Sequence, residues 1–182
     1  MLFKPTKLKG VYIIDIESKK DERGFFARSF CQKEFSAAGL KLSIKQSSIS
    51  YNKKRGTLRG LHYQIAPHRE AKLVSCIRGA IYDVIVDLRN NSPTYRRWVG
   101  VELSEKNHKM LYIPEGFAHG FQTIKDNTIV FYQISEFYHP ESARGLRWDD
   151  PVLAIKWPVK NLTISPRDKT YIFLDAQKSK TR

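Results

Sequence analysis

Ala80-Ile81-Tyr82-Asp83-Val84-Ile85-Val86-Asp87-Leu88 repeats with a period of two, which is the pattern of an extended strand and not of a helix. Its even positions are apolar throughout, while the odd ones alternate isoleucine with Asp83 and Asp87. One face is therefore read as core, and the other carries two carboxylates to a polar or pocket-facing surface. Arg78-Gly79 just ahead of it suggests a tight hairpin with the preceding strand, 71–77. Similar β-branched and aromatic runs predict strands over 11–16, 25–31, 44–51, 57–64, 98–103, 110–113, 118–124 and 128–137. Asp21-Glu22-Arg23-Gly24 reads as a turn. Residues 32–38, stopped by Gly39, form the one good helix candidate. Residues 151–158 are expected to be irregular or briefly helical and to cover one end. About ten short strands separated by turn signals argue for an all-β sandwich or barrel, and helices do not alternate with strands as a βαβ fold requires.

The chain has 182 residues with 41% hydrophobic side chains, enough for one domain with a real core, and residues 1–182 are read as that single domain. The last stretch, from about residue 175, is read as a frayed basic tail. No apolar run approaches the roughly 18–20 residues of a membrane helix. Lys4 and Pro5 interrupt the segment where a secretory signal would keep its apolar core. Two cysteines, Cys31 and Cys76, make no disulfide framework, so the expectation is a cytoplasmic protein with inert core thiols. The net charge is +14, from 32 basic and 18 acidic residues. Most of it is scattered among acidic neighbours, which favours a solvated surface over nucleic-acid binding, although a pocket for a phosphorylated ligand needs only a few placed Arg and Lys.

Five histidines narrow the chemistry. His68, His108 and His139 lie in turn-like contexts and are read as exposed. His62 and His119 each sit in a strand candidate beside glycine, and glycine inside a strand marks a bulge or a close approach. Neither a His-x-His pair nor a Cys-x-x-Cys occurs, so a metal site is not expected, and no Gly-x-Ser-x-Gly nucleophile elbow is present. A histidine base, cationic partners and tyrosine acids remain. Strict alternation would put Arg59 and His62 on opposite faces, so both reach one pocket only if the strand is kinked or bulged around Gly60.

Several segments together resemble the dTDP-4-dehydrorhamnose 3,5-epimerase family. They are Asp21-Glu22-Arg23-Gly24-Phe25-Phe26, Gly56-Thr57-Leu58-Arg59-Gly60-Leu61-His62-Tyr63-Gln64, Lys72-Leu73-Val74, Gly79-Ala80-Ile81-Tyr82-Asp83-Val84, Asp87-Leu88-Arg89 with Ser92-Pro93-Thr94, and Ile113-Pro114-Glu115-Gly116-Phe117-Ala118-His119-Gly120-Phe121. Their order and spacing match from about residue 10 to about residue 170. The resemblance implies a cupin-type jelly-roll, a homodimer, and no metal or organic cofactor. It implies a nucleotide-linked 4-keto-6-deoxy hexose inverted at C3 and C5. By resemblance, His62 is the base, Asp168 the carboxylate that orients it, Lys72 the cation at the enolate oxygen, and Tyr132 the acid on the other ring face. Arg23, Gln46, Arg59, His119 and Arg167 fall on ligand-binding positions, and Tyr138 on the position that stacks against the base.

The residue types suit that chemistry. A C4 ketone acidifies the hydrogens on C3 and C5, because the resulting carbanion delocalises onto O4. Histidine is a natural base near neutral pH, and a cation at O4 stabilises charge that develops only in the transition state. Inversion returns the proton from the opposite face, which calls for a second residue. Asp83 competes with Asp168 as partner of His62, and spacing alone does not choose between them. Arg28, Ser48 and Ala143 depart from the family pattern at ligand positions, so an enzyme for a CDP- or GDP-linked sugar, or one inverting a single centre, stays open. A non-catalytic sugar-nucleotide-binding cupin and a basic nucleic-acid-binding β-barrel are further alternatives.

Overall fold

The computed structural model describes residues 1–175, so the tail expected from about residue 175 lies outside them. Among the described residues, fourteen strands and two short helices follow one another: β1 (Leu2–Pro5), β2 (Tyr12–Asp15), β3 (Lys19–Asp21), β4 (Gly24–Phe26), α1 (Gln32–Ala37), β5 (Gln46–Asn52), β6 (Thr57–Gln64), β7 (Lys72–Arg78), β8 (Ala80–Asp87), β9 (Trp98–Ser104), β10 (Met110–Ile113), β11 (Phe117–Thr123), β12 (Thr128–Ile134), β13 (Ala143–Gly145), β14 (Thr163–Ile164) and α2 (Pro166–Thr170). One sheet runs β1-β2-β10-β7-β12-β5 and the other β13-β6-β11-β8-β9, with β14 added in parallel to β6. All other pairings are antiparallel, and β3–β4 stands apart as a small hairpin. Two packed antiparallel sheets with chain crossovers between them make the jelly-roll of the cupin type.

The inner faces close on one apolar cluster. Val74, Cys76, Leu111, Ile113 and Val130 come from the first sheet, and Ile81, Ile85, Leu103, Phe117 and Phe121 from the second. Each such fully buried side chain contributes roughly 1.5–3 kcal/mol by leaving water. Burial holds the Cys76 thiol up at about 11, as fits an inert core cysteine.

Three expectations are corrected here. On β8 the inter-sheet core takes the odd face, Ile81 and Ile85, whereas the even face, Val84 and Val86, packs outward under Leu146, Leu153 and Leu174. Both faces are thus buried, because residues 146–174 wrap that sheet, and 151–158 supply part of the cover. Arg78-Gly79 is not a hairpin, since β7 and β8 belong to different sheets. Gly79 turns the corner between them at φ +78°, where a Cβ would lie 2.4 Å from Thr128 Oγ1. The strand expected over 25–31 stops at Phe26, and its hairpin is exposed instead of packed. The helix candidate ends as read, with Gly39 at φ +72° after Ala38.

The two aspartates of β8 have separated fates. Asp87 is fully buried and binds the loop that follows. It accepts from Arg89 Nε at 2.9 Å, Ser92 Oγ at 2.6 Å and Thr94 Oγ1 at 2.7 Å. Burial alone would raise its pKa, but these donors outweigh burial and hold it at about 2 instead of the ordinary 3.8. The charged form therefore stabilises the fold above pH 3.8, and the contribution is lost as the pH falls toward about 2. Asp87→Asn should cost roughly 2 kcal/mol in denaturant unfolding at neutral pH. The gap to the parent should narrow as the pH falls through that window, and a constant gap would show that the charge is not what holds the loop.

Candidate active site

At one end of the sandwich the inner faces turn polar and part around a cavity of about 380 Å³. In the first sheet, the row Cys76/Val130 gives way to Val74/Tyr132/Ser48 and then to Lys72/Ile134/Gln46. In the second sheet, Arg59, Phe121 and Asp83 form one row and His62, His119 and Ile85 the next. The sheets thus approach the cavity with different chemistry. Histidines come from one side, and a lysine and a phenol from the other.

Arg59 and His62 reach the same face because β6 carries an extra residue. His62 pairs with His119 and Arg59 with Phe121, so three steps on β6 oppose two on β11. That is a β-bulge, and it reverses the alternation beyond it. Its sequence requirement is two glycines back to back. Gly60 sits at φ +111°, and a Cβ on it would lie 2.6 Å from Gly120 Cα; a Cβ on Gly120 would lie 2.7 Å from the Arg59 carbonyl.

The partner of His62 arrives from the chain's end. β14 lies in parallel beside the start of β6, then Ser165 caps a single helical turn opened by Pro166, and this turn aims Asp168 at the imidazole. His62 Nε2 and Asp168 Oδ1 are 2.6 Å apart, and the Gly60 amide donates to Asp168 Oδ2 at 3.4 Å. Burial raises the Asp168 carboxyl, but the His62 hydrogen bond and charge, with the Gly60 and Ser165 donors, outweigh burial and hold it below its ordinary value. The ionised carboxylate fixes the proton on Nε2, leaving Nδ1 as the nitrogen without a hydrogen bond among the described residues. Asp83 pairs with the other histidine. His119 Nε2 lies 2.6 Å from Asp83 Oδ1, both side chains are buried, and Oδ2 of Asp83 has no partner among the described residues.

Opposite stands Tyr132, its ring 6.1 Å from that of His119. Burial, reinforced by the negative charge of Asp83, pushes the phenol far above its ordinary range, so it stays protonated at any working pH. Lys72 lines the same cavity, and its ammonium meets Glu70 Oε1 at 2.9 Å, both side chains about one-tenth exposed. Glu70, and Asn52, whose Oδ1 accepts from Arg59 Nε at 2.8 Å, are candidate site residues that the sequence reading missed. The Glu-x-Lys spacing, with Glu70 in the loop two residues ahead of the start of β7, was the available signal for Glu70.

The remaining candidates divide. Gln46, Tyr138 and Arg167 line an adjoining lobe of about 200 Å³ that shares His62 and Lys72 with the main cavity. There the Arg167 guanidinium faces the Tyr138 hydroxyl, and Gln46 Oε1 accepts from the Tyr138 amide at 3.2 Å. Of the departures from pattern, Ser48 lines the main cavity and Ala143 the lobe, while Arg28 is exposed and paired with Glu34 at 2.8 Å. Arg23 is not brought in. It lies on the exposed β3–β4 hairpin, bonded to Asp21 at 2.6 Å, and lines neither lobe in its own chain. Each cavity histidine has one carboxylate, and no third metal-capable donor joins either pair among the described residues. His108 is exposed as read, its ring against Phe25, whereas His68 and His139, also read as exposed, are half-buried and stack on each other.

Comparison with known proteins finds relatives over most of the chain. The family model described as dTDP-4-dehydrorhamnose 3,5-epimerase matches residues 5–176. A dTDP-4-dehydrorhamnose 3,5-epimerase of Methanothermobacter thermautotrophicus is 46% identical over 172 residues, 93% of this chain and 92% of that one. A dTDP-4-dehydrorhamnose 3-epimerase of Streptomyces niveus is 38% identical over 96% of this chain and 84% of its own. The crystal structure of dTDP-4-dehydrorhamnose 3,5-epimerase from Bacillus anthracis, with TDP and PPi bound, superposes with a TM-score of 0.93 at 40% identity, over 95% of this chain and 99% of that one.

The glycine pair gives a direct test of how the site is built. Gly120→Ala drives a methyl into the Arg59 carbonyl, so it should lower stability by about 1–3 kcal/mol in thermal or denaturant unfolding. It should also weaken binding of a nucleoside diphosphate, because Arg59 and His62 move together. A variant as stable as the parent would mean that the close approach at the bulge is not required.

Proposed function

Because this chain belongs to the dTDP-4-dehydrorhamnose 3,5-epimerase family, we propose that it is a sugar-nucleotide epimerase that inverts C3 and C5 of dTDP-4-dehydro-6-deoxy-D-glucose to give dTDP-4-dehydro-L-rhamnose. The observation that carries the reading is the convergence of His62 from one sheet and Tyr132 from the other on a single cavity. A pyranose between the sheets presents one face to each.

In this mechanism His62 Nδ1 removes the proton alpha to the C4 ketone, and Asp168 stabilises the imidazolium that forms. The electron pair moves into the ring and onto O4, where Lys72 meets the enolate charge. A preorganised donor of this kind is commonly worth about 3–4 kcal/mol. Tyr132, held neutral by burial, returns a proton from the opposite face, and the stereocentre inverts. The same pair serves C3 and C5 in turn once solvent has taken the proton from His62 and returned one to Tyr132, and the sugar has shifted between the two events. Glu70 keeps Lys72 on its strand face and limits its free charge until the enolate competes for it. Arg59 and Arg167 take the diphosphate, with guanidinium forks in place of a metal. Gln46 and Tyr138 form the walls for the base. The TDP complex of the Bacillus anthracis protein supports a thymidine nucleotide.

A second reading is favoured by the relative from Streptomyces niveus, which at 38% identity is named a 3-epimerase and not a 3,5-epimerase. Here Ser48 and Ala143 are the cavity positions that depart from the family pattern. The working unit is read as a single-domain homodimer. Edge strand β5 leaves Ile49 and Tyr51 exposed for a second copy to cover, and Arg23, which lines neither lobe of its own chain, would meet a ligand only across such an interface. No helix among the described residues is long and apolar enough to cross a membrane, and a cytoplasmic site of action remains the expectation.

NMR of the 4-keto sugar nucleotide in deuterated water tests the mechanism. The parent should exchange both the C3 and C5 hydrogens, whereas exchange at one carbon alone would support the single-centre reading. His62→Ala should abolish exchange while TDP binding persists; full-speed exchange would remove His62 as the base. Tyr132→Phe should slow inversion more than exchange, and equal loss of both would count against an opposite-face acid.

A further inference from the structure

Outside the catalytic cavity, one group of three metal-capable side chains converges among the described residues: His68, His139 and Glu141. His139 Nδ1 lies 3.0 Å from Glu141 Oε1, and His68 Nε2 lies 3.8 Å from the same oxygen. All three donor atoms fall within 4.8 Å of one another. The two imidazoles lie face to face, with centroids 3.5 Å apart and planes 8° from parallel. Both are about three-tenths exposed, so solvent reaches them.

The backbone under this group is already tied down. His68 belongs to the β6–β7 loop, and His139 and Glu141 belong to the β12–β13 loop. Gln64 clamps the two loops together. Its amide nitrogen donates to the carbonyls of His68 at 2.9 Å and Phe137 at 3.0 Å, and its oxygen accepts from the His139 amide at 2.7 Å. A ligand here therefore has little main-chain entropy left to remove.

We propose that His68, His139 and Glu141 form a surface site for a zinc-class divalent ion. Two neutral imidazoles and one carboxylate make an N₂O donor set, which suits Zn²⁺ and its later transition-metal neighbours and not Mg²⁺ or Ca²⁺. Bonds of about 2.0–2.2 Å require the donors to draw together, so the stacked rings splay about their side-chain torsions on binding. Three protein ligands leave an outer position open to water. The opposing charge is Arg144, whose Nη1 donates to the Glu141 and Ala143 carbonyls, and it limits affinity without blocking the donors. Tyr138 lies between the clamped residues and lines the lobe of the cavity together with Arg167. On the epimerase reading, an ion that joins the two loops would restrict Tyr138 and so change substrate affinity more than turnover.

The contiguous motifs of metal sites do not reveal this group, because one ligand lies 71 residues before the other two begin. The test uses untagged, chelator-stripped protein titrated with Zn²⁺ alone, by calorimetry and by competition with a chromophoric chelator. One ion should bind, Mg²⁺ should not compete, and His68→Ala, His139→Ala and Glu141→Gln should each weaken binding, at least about tenfold for the histidines. Anomalous scattering at the zinc edge should place the ion between the three side chains. Absence of saturable binding, or equal binding in parent and variants, would overturn the proposal. Metal-free His68→Ala should still exchange substrate hydrogens; loss of exchange in the parent itself would overturn the epimerase reading and leave the zinc result standing.

Discussion

One extra residue in β6 decides whether this protein has a site. Without the bulge at Gly60, the strand's alternation would point Arg59 and His62 to opposite faces, one into the sandwich and one away from it. With it, the arginine and the histidine stand in successive rows of the same wall. The bulge needs a neighbouring backbone that can come close, and Gly120 on β11 supplies it. A local departure from regular pairing is thus placed where the chemistry needs two polar side chains side by side, and the apolar rows deeper in the sandwich keep their regular register.

The cavity built on that wall is an arrangement of opposed protonation preferences. Asp168 is held ionised by its donors, and Tyr132 is held neutral by burial. They come from the C-terminal turn and from the opposite sheet, so neither neutralises the other. On the epimerase reading, the ionised Asp168 supports His62 as the base, while the neutral Tyr132 keeps the proton that the acid must give. Lys72 is paired with Glu70 in the same spirit, since a cation held in an apolar strand needs a counter-charge until substrate arrives. The buried Asp83 and His119 pair sits next to the phenol and sets the field around it.

Much of this was legible in the sequence, but unevenly. Strand positions from Thr57–Gln64 onward followed the period-two pattern closely, and Gly60 and Gly120 announced the close approach. What periodicity could not tell was which sheet each strand joins. The corner at Gly79 and the hairpin that was expected there have the same local signature, and only the long-range partners of β7 and β8 separate them. The buried outer face of β8 depends on a wrap from residues 146–174, which has no repeating pattern to read. His62 and Asp168 lie 106 residues apart and meet through a parallel strand of two residues, too short to leave a signal. Residue by residue, the resemblance brought most of the cavity together, while Glu70 and Asn52 came only from the three-dimensional contacts.

The central claim is that one pyranose is held with the His62 imidazole on one face and the Tyr132 phenol on the other. A crystal structure with a bound dTDP-hexose that lacks the 4-keto group, and so cannot react, addresses it most directly. The account predicts the sugar between the two sheets, its O4 side toward Lys72, with imidazole and phenol on opposite ring faces. A sugar lying outside the cavity, or contacting both rings on the same face, would contradict it.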